Sequence, residues 1–334
     1  MALRRGPRNL ITDVDGIAVG NAGDAQLRSG VTAIVPMRRM LCAVDVRGGA
    51  PGTRETDALD PVTLTEHVDA VVLSGGSAFG LDAAGGVMGW LAGQGRGLRV
   101  GSAIVPIVPA AILFDLLNGG EKGWGETSPY GALGRAAASA AGTDFALGNA
   151  GAGLGAKAGS LKGGLGSASA VSEDGLQVGA LVAVNSRGET TMPGSACFWA
   201  WALARDGELG EQRPPAGPLD LPEPEPPAIH VSANTTIGVI ATNAGLSKAE
   251  AKRVAIMAQD GFARAIRPIH TPYDGDSIFV LAGGGWALPE PRPYSLMRVG
   301  AAAADCMARA VMRGVYEAES LGELAAYRDR FQER

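Results

Sequence analysis

Apolar positions along the chain follow two rhythms. Short apolar runs read as buried strands at 68–74 (VDAVVLS), 100–108 (VGSAIVPIV), 176–185 (LQVGALVAVN), 235–243 (TTIGVIATN) and 276–282 (DSIFVLA). Between them the spacing changes to a helical one. In 75–92, Ala84, Val87, Met88 and Leu91 share a face; in 247–266, Ala251, Val254, Ala255, Ala258, Phe262, Ala265 and Ile266 do so. Ser247 and Glu250 form a capping box at the start of the second helix. A third helix is expected over about 296–318, where Met297, Ala301, Ala304, Ala308, Val311 and Val315 line one side; their small size suggests close packing on a sheet. Strands alternating with helices argue for an α/β protein.

One segment breaks this rhythm. Residues 206–230 carry seven prolines and many acids, which predicts an extended, exposed connector. A few residues later the 235–243 strand begins with two threonines directly after an asparagine. A core strand headed by hydroxyls in mid-chain calls for a chemical reason.

Composition narrows the possibilities. With 334 residues, 46% hydrophobic and 19% charged, the chain forms a core rather than staying disordered. The 50 glycines are scattered without a three-residue period and read as tight turns and close backbone approaches. A net charge of −5 with no Lys/Arg block makes nucleic acid an unexpected partner. No apolar run is long enough for a membrane span, and the start MALRRGPRNLITDVDG lacks the apolar region of a signal peptide. Cys42, Cys197 and Cys306 are read as reduced buried thiols, and a cytoplasmic location is expected. His67, His230 and His270 show no metal-ligand spacing.

Four stretches could carry chemistry. At Asn234-Thr235-Thr236, the Thr235 hydroxyl could attack the Asn234 carbonyl, and hydrolysis of the resulting ester would leave a chain starting at Thr235, whose new α-amine can serve as base for its own hydroxyl. The plain alternative is a strand start rich in β-formers. In YDGDS (273–277), Asp274 and Asp276 could both face one site from a turn, or simply be solvated there. The glycine-rich 151–169 offers backbone N–H groups and lysines for an anionic transition state, or is a surface loop. SGGSAFG (74–80) fails the nucleophile-elbow pattern, since Phe79 stands two residues after Ser77; it reads as a strand-to-helix turn lining a pocket.

Taken together, ITDVDGIAVGNA (11–22), AVDVRGGAPGTRETDAL (43–59), VVLSGGSAFGLDAAGGVM (71–88), GNAGAGLGAKAGSLKGGLGSAS (148–169), LVAVNSRG (181–188), NTTIGVIATNAGLS (234–247) and HTPYDGDSIFVLA (270–282) resemble one family. It is the self-processing aminopeptidases and amidases, which include the L-aminopeptidase/D-esterase, the β-peptidyl aminopeptidases and the endo-type 6-aminohexanoate (nylon) oligomer hydrolase. The Asn-Thr junction and the Asp-Gly-Asp pair are similar to the nylon-oligomer branch; the N-terminal stretches look equally like the aminopeptidase branch. The resemblance implies a four-layer α/β/β/α sandwich, layered like the N-terminal-nucleophile hydrolases. It implies a single domain cut into 1–234 and 235–334, and a homo-oligomer, commonly a tetramer. It implies that Thr235 is the nucleophile, with Thr236 as the other candidate. Asp274 and Asp276 would hold its amine and hydroxyl, Asn185 would donate to the oxyanion, and the site lysine would be Lys162 or else Lys157. Tyr130 would match a site tyrosine; Glu126 or Asp82 could catch a substrate amine. The implied activity is amide hydrolysis on small peptides, aminoacyl amides or 6-aminohexanoate-type oligoamides, with no metal or organic cofactor. An aminopeptidase, an acyltransferase of the ornithine acetyltransferase type, and a non-enzymatic scaffold are the competing expectations.

Overall fold

The computed structural model describes residues 3–221, 223 and 234–331. His230 and much of the expected connector, residues 222 and 224–230, lie outside them, as do Ser232 and Ala233 ahead of the junction.

Two sheets stack face to face. The larger has seven strands in the order Leu3–Arg5, Gly164–Ser172, Gln177–Val184, Ile237–Ala244, Ser277–Trp286, Met40–Val46 and His67–Val68. The smaller has five: Ile17–Asp24, Ser29–Pro36, Val71–Ser74, Ala110–Ile112 and Thr53–Arg54. Period-two alternation divides each central strand between two cores. Ile237, Val239 and Ala241, with Phe279, Leu281, Leu181 and Ala183, fill the space between the sheets. Ile240, Ile278, Val280, Val178 and Val182 point the other way, under helices Lys248–Ala265 and Arg292–Tyr316. Helices Asp82–Gly93 and Tyr130–Ser139 cover the outer face of the smaller sheet through Ala83, Val87, Leu91 and Ala137. The result is the α/β/β/α sandwich. The three cysteines are buried and free. Among the described residues no helix is long and apolar enough to cross a membrane.

The capping box at Ser247 and Glu250 forms as expected. Two expectations change. The run 100–108 is not one strand: Gly101 turns a hairpin of Leu98–Val100 and Ala103–Val105, and the sheet strand begins only at Ala110, after Pro106 and Pro109. Pro lacks the N–H a ladder needs. The connector is also not exposed throughout its described part. Leu209 is buried, and the Glu208 carboxylate is enclosed in an ion pair with Arg309 at 2.7 Å.

Candidate active site

The large sheet gathers the candidate residues by topology. Strand Gln177–Val184 runs antiparallel to Ile237–Ala244, which runs parallel to Ser277–Trp286. The end of the first therefore lies beside the beginnings of the other two. Asn185, Thr235–Thr236 and Asp276 sit at this shared end. Strand Gly164–Ser172 also starts there, with Gly164 opposite Val184, which puts Lys162 two residues from the same edge. Met40–Val46 finishes there too, Val46 opposite Ser277. Its following Arg47 and Gly48 donate their N–H groups to the Asp276 carbonyl at 2.9 and 3.2 Å. Gly48 is needed there, since a Cβ would stand 2.3 Å from the Asp274 carbonyl oxygen.

The Thr235 hydroxyl donates to the Asn234 carbonyl at 2.5 Å, and the Gly275 N–H donates to the same oxygen at 3.2 Å. The Thr235 N–H donates to the Asn185 main-chain carbonyl at 2.6 Å. Two donors thus share the carbonyl oxygen that joins Asn234 to Thr235, one of them the Thr235 hydroxyl. The Thr236 hydroxyl is buried without a hydrogen-bond partner among the described residues.

The two acids divide their work. Asp276 accepts the Thr236 N–H through Oδ1 at 2.8 Å; through Oδ2 it meets the His270 N–H at 3.1 Å and His270 Nδ1 at 2.9 Å. Asp274 accepts the Thr271 N–H at 2.8 Å and the Thr271 hydroxyl at 2.6 Å through Oδ2, while its buried Oδ1 has no partner among the described residues. Burial pushes the Asp274 carboxyl above its ordinary range, and the neighbouring Asp276 charge adds to the push. Neither carboxylate bonds the Thr235 hydroxyl or nitrogen, whose partners are the carbonyls of Asn234 and Asn185.

Asn185 is fastened on both sides of its amide: Oδ1 accepts the Lys157 N–H at 2.9 Å and Nδ2 donates to the Phe114 carbonyl at 3.1 Å. Of the two lysines, Lys162 is the buried one. Its ammonium donates to the carbonyls of Gly153 and Gly163 at 3.0 and 2.7 Å, and burial lowers it to about 7. Lys157 pairs with it across a two-residue ladder, and its side chain is exposed.

Ser77 and Tyr130 belong to a second cluster that touches the first through residues 113–115. Leu113 accepts the Ser77 N–H at 2.9 Å, Phe114 accepts from Asn185, and Asp115 Oδ1 accepts the Gly76 N–H at 2.8 Å. Tyr130 is fully buried and donates to Ser29 Oγ at 2.9 Å. Ser77 has a φ of 51°, a left-handed conformation that marks a strained turn. Glu126 and Asp82 are exposed, Asp82 accepting from Ser128. Sequence reasoning missed His270, Thr271 and Asp115. The HTP lead-in to YDGDS and the single acid closing the apolar run ILFD were the available signals. Among the described residues, no cluster of three or more His, Cys, Asp or Glu side chains is arranged to hold a metal ion.

Comparison with known proteins identifies the family. The model of Peptidase family S58 matches residues 9–327. This chain belongs to peptidase family S58. An uncharacterized aminopeptidase of Mycobacterium tuberculosis is 47% identical over 343 residues, covering 97% of this chain and 98% of that protein. A 6-aminohexanoate-oligomer endohydrolase of Kocuria sp. is 31% identical over 300 residues, covering 85% and 78%. The solved β-aminopeptidase of Burkholderia sp. superposes with a TM-score of 0.70 at 21% identity, covering 98% of this chain and 91% of that one. The L-aminopeptidase D-Ala-esterase/amidase of Ochrobactrum anthropi, described as a variant of the Ntn-hydrolase fold, gives 0.68 at 22%, covering 96% and 90%. The S58 chain is accordingly a hydrolase with an Ntn-hydrolase-like fold.

Proposed function

We propose that the chain cuts itself between Asn234 and Thr235, and that Thr235 then hydrolyses amide bonds of small peptides as an N-terminal nucleophile. The observation that carries this reading is the Thr235 hydroxyl seated at 2.5 Å on the Asn234 carbonyl oxygen, with the Gly275 N–H on the same atom. In self-cleavage, Oγ attacks the carbonyl carbon, the Asn234–Thr235 C–N bond breaks, and the nitrogen takes up the hydroxyl proton. Water then hydrolyses the ester, leaving an Asn234 carboxylate and a free Thr235 amine. That amine serves as base for the Oγ proton when a substrate amide takes the place of Asn234. Asp274 and Asp276 fix the turn that holds the nucleophile. Asn185 and backbone N–H groups stabilise the substrate oxyanion, and removal of one such donor costs on the order of 100- to 1000-fold in rate. Lys162 supplies a buried amine poised near neutrality.

Peptides are the favoured substrates because identity is higher to the mycobacterial aminopeptidase than to the 6-aminohexanoate-oligomer endohydrolase. Oligoamides of the second kind are the runner-up. We also propose a homo-oligomer, supported by the exposed apolar side chains of Leu98, Val100 and Val105 on one hairpin; sedimentation of the wild type as a monomer would refute it.

The test is direct. Wild type should give two bands on a denaturing gel, the smaller beginning with Thr235; Thr235→Ala should give one band and no turnover, and Thr235→Ser should still cut. An uncut wild type that hydrolyses amides, or a Thr235→Ala protein that still splits, refutes the mechanism.

A further inference from the structure

A cavity of about 1060 Å3 is lined in part by chain neighbours and hydrogen-bond partners of the candidate site's residues. The main-chain N–H of its lining residue Lys157 holds Asn185, the Arg187 guanidinium lies 5.5 Å from the centre of the Tyr273 ring, and Ile269 precedes the His270 that clasps Asp276. Its charge contrasts with a chain of net −5. Among the described residues, Lys157, Arg187, Arg264, Arg267 and Arg330 line it, against two acids, Glu189 and Glu223. Glu189 is already engaged by Ser160 at 3.2 Å. Arg264 is paired with Asp305, but among the described residues neither Lys157 nor Arg267 has a carboxylate within ion-pair distance. Trp199 is a further lining residue.

We propose that this cavity is an anion subsite that receives the free terminal carboxylate of a small peptide or oligoamide while the scissile amide lies at Thr235. The inference rests on the proposed nucleophile and adds a substrate class to it: acids are preferred over their amides and esters. The cavity is of the size that encloses small ligands, which run to roughly 300–1000 Å3. Partly solvated ion pairs are weak one by one. Several acting together give about a tenfold preference, equivalent to about 1.4 kcal/mol.

Trialanine and trialanine amide are compared as substrates of the cleaved wild-type protein at low ionic strength, with KM and kcat read separately. The acid should show a KM about tenfold lower, and added salt should narrow the gap. Arg267→Gln combined with Arg330→Gln should remove most of the difference; both side chains are exposed, so folding is not at stake. Equal KM values for acid and amide, turnover of neither, or a preference that survives the double substitution overturns the subsite. The nucleophile reading fails differently, by an uncut active wild type or a Thr235→Ala protein that still splits on a denaturing gel, whatever the ratio of acid to amide.

Discussion

Replacing Gly275 with alanine probes the packing at the junction. A Cβ at this position would stand 2.7 Å from Thr235 Oγ and 2.8 Å from the Ala50 carbonyl oxygen. Both are well inside an ordinary C···O contact of about 3.3–3.6 Å. Neither neighbour can retreat freely. Thr235 Oγ is held on the Asn234 carbonyl at 2.5 Å, and Ala50 is anchored by its N–H on the Asp274 carbonyl at 2.8 Å. Moving the 274–276 turn instead would pull the Gly275 N–H off the Asn234 carbonyl. An extra methyl in a packed site costs about 1–3 kcal/mol. If that cost falls on the attack geometry, self-cleavage slows by roughly 5- to 150-fold. The assay is the time course of the uncut band on a denaturing gel after synthesis. Gly89→Ala is the control, because a Cβ there meets nothing within 4 Å; it should cut at the wild-type rate. A Gly275→Ala protein that melts like wild type and cuts as fast would refute the argument that this glycine makes room for the hydroxyl.

Other outcomes follow from groups away from the hydroxyl. Burial lowers Lys162 to about 7 from 10.5, so between these values the unfolded chain holds a proton that the folded chain has released. Stability should therefore rise with pH across that window, by up to about 1.4 kcal/mol per pH unit, and fall as pH drops through it; urea titrations of Lys162→Met at several pH values should lack that slope. Glu208→Gln leaves the buried Arg309 guanidinium, which also holds Asn9 and the Ser169 carbonyl, without its counter-charge, and should cost about 3–5 kcal/mol in denaturant unfolding. Ser247→Ala removes the hydroxyl that accepts the Glu250 N–H and should cost about 1 kcal/mol by the same measurement.

Much of the large sheet was legible because its strands are apolar on both faces and its helix at 248–265 has a wide apolar stripe and a capping box. The helix Tyr130–Ser139 was not seen, and the reason is physical. Its contact with Asp82–Gly93 is made by backbone: a Cβ on Gly134 would strike the Ala83 carbonyl at 2.1 Å, and one on Gly86 would strike that of Gly131 at 1.9 Å. A surface that packs by lacking side chains leaves no apolar period to read. At the site, Thr235, Asp274, Asp276 and Asn185 were named from motif likeness, and the sheet topology does gather them at one end. His270 and Thr271 bond Asp276 and Asp274 from three to six residues away, inside one irregular turn that has no periodic pattern to read; Asp115 meets the Gly76 N–H across 39 residues, and no local spacing encodes that meeting. The cluster of cations around the cavity is likewise drawn from four distant stretches of sequence.

Strand Ile237–Ala244 is flanked on one side by Gln177–Val184 and on the other by Ser277–Trp286. On the proposed mechanism the scissile bond is presented only after both ladders have closed. Maturation then works as a quality gate: a misfolded molecule cannot arm itself, and every armed molecule has already passed through the complete fold. The two products remain interleaved in one sheet, so the trace of the reaction is a new pair of termini and not a separation of parts.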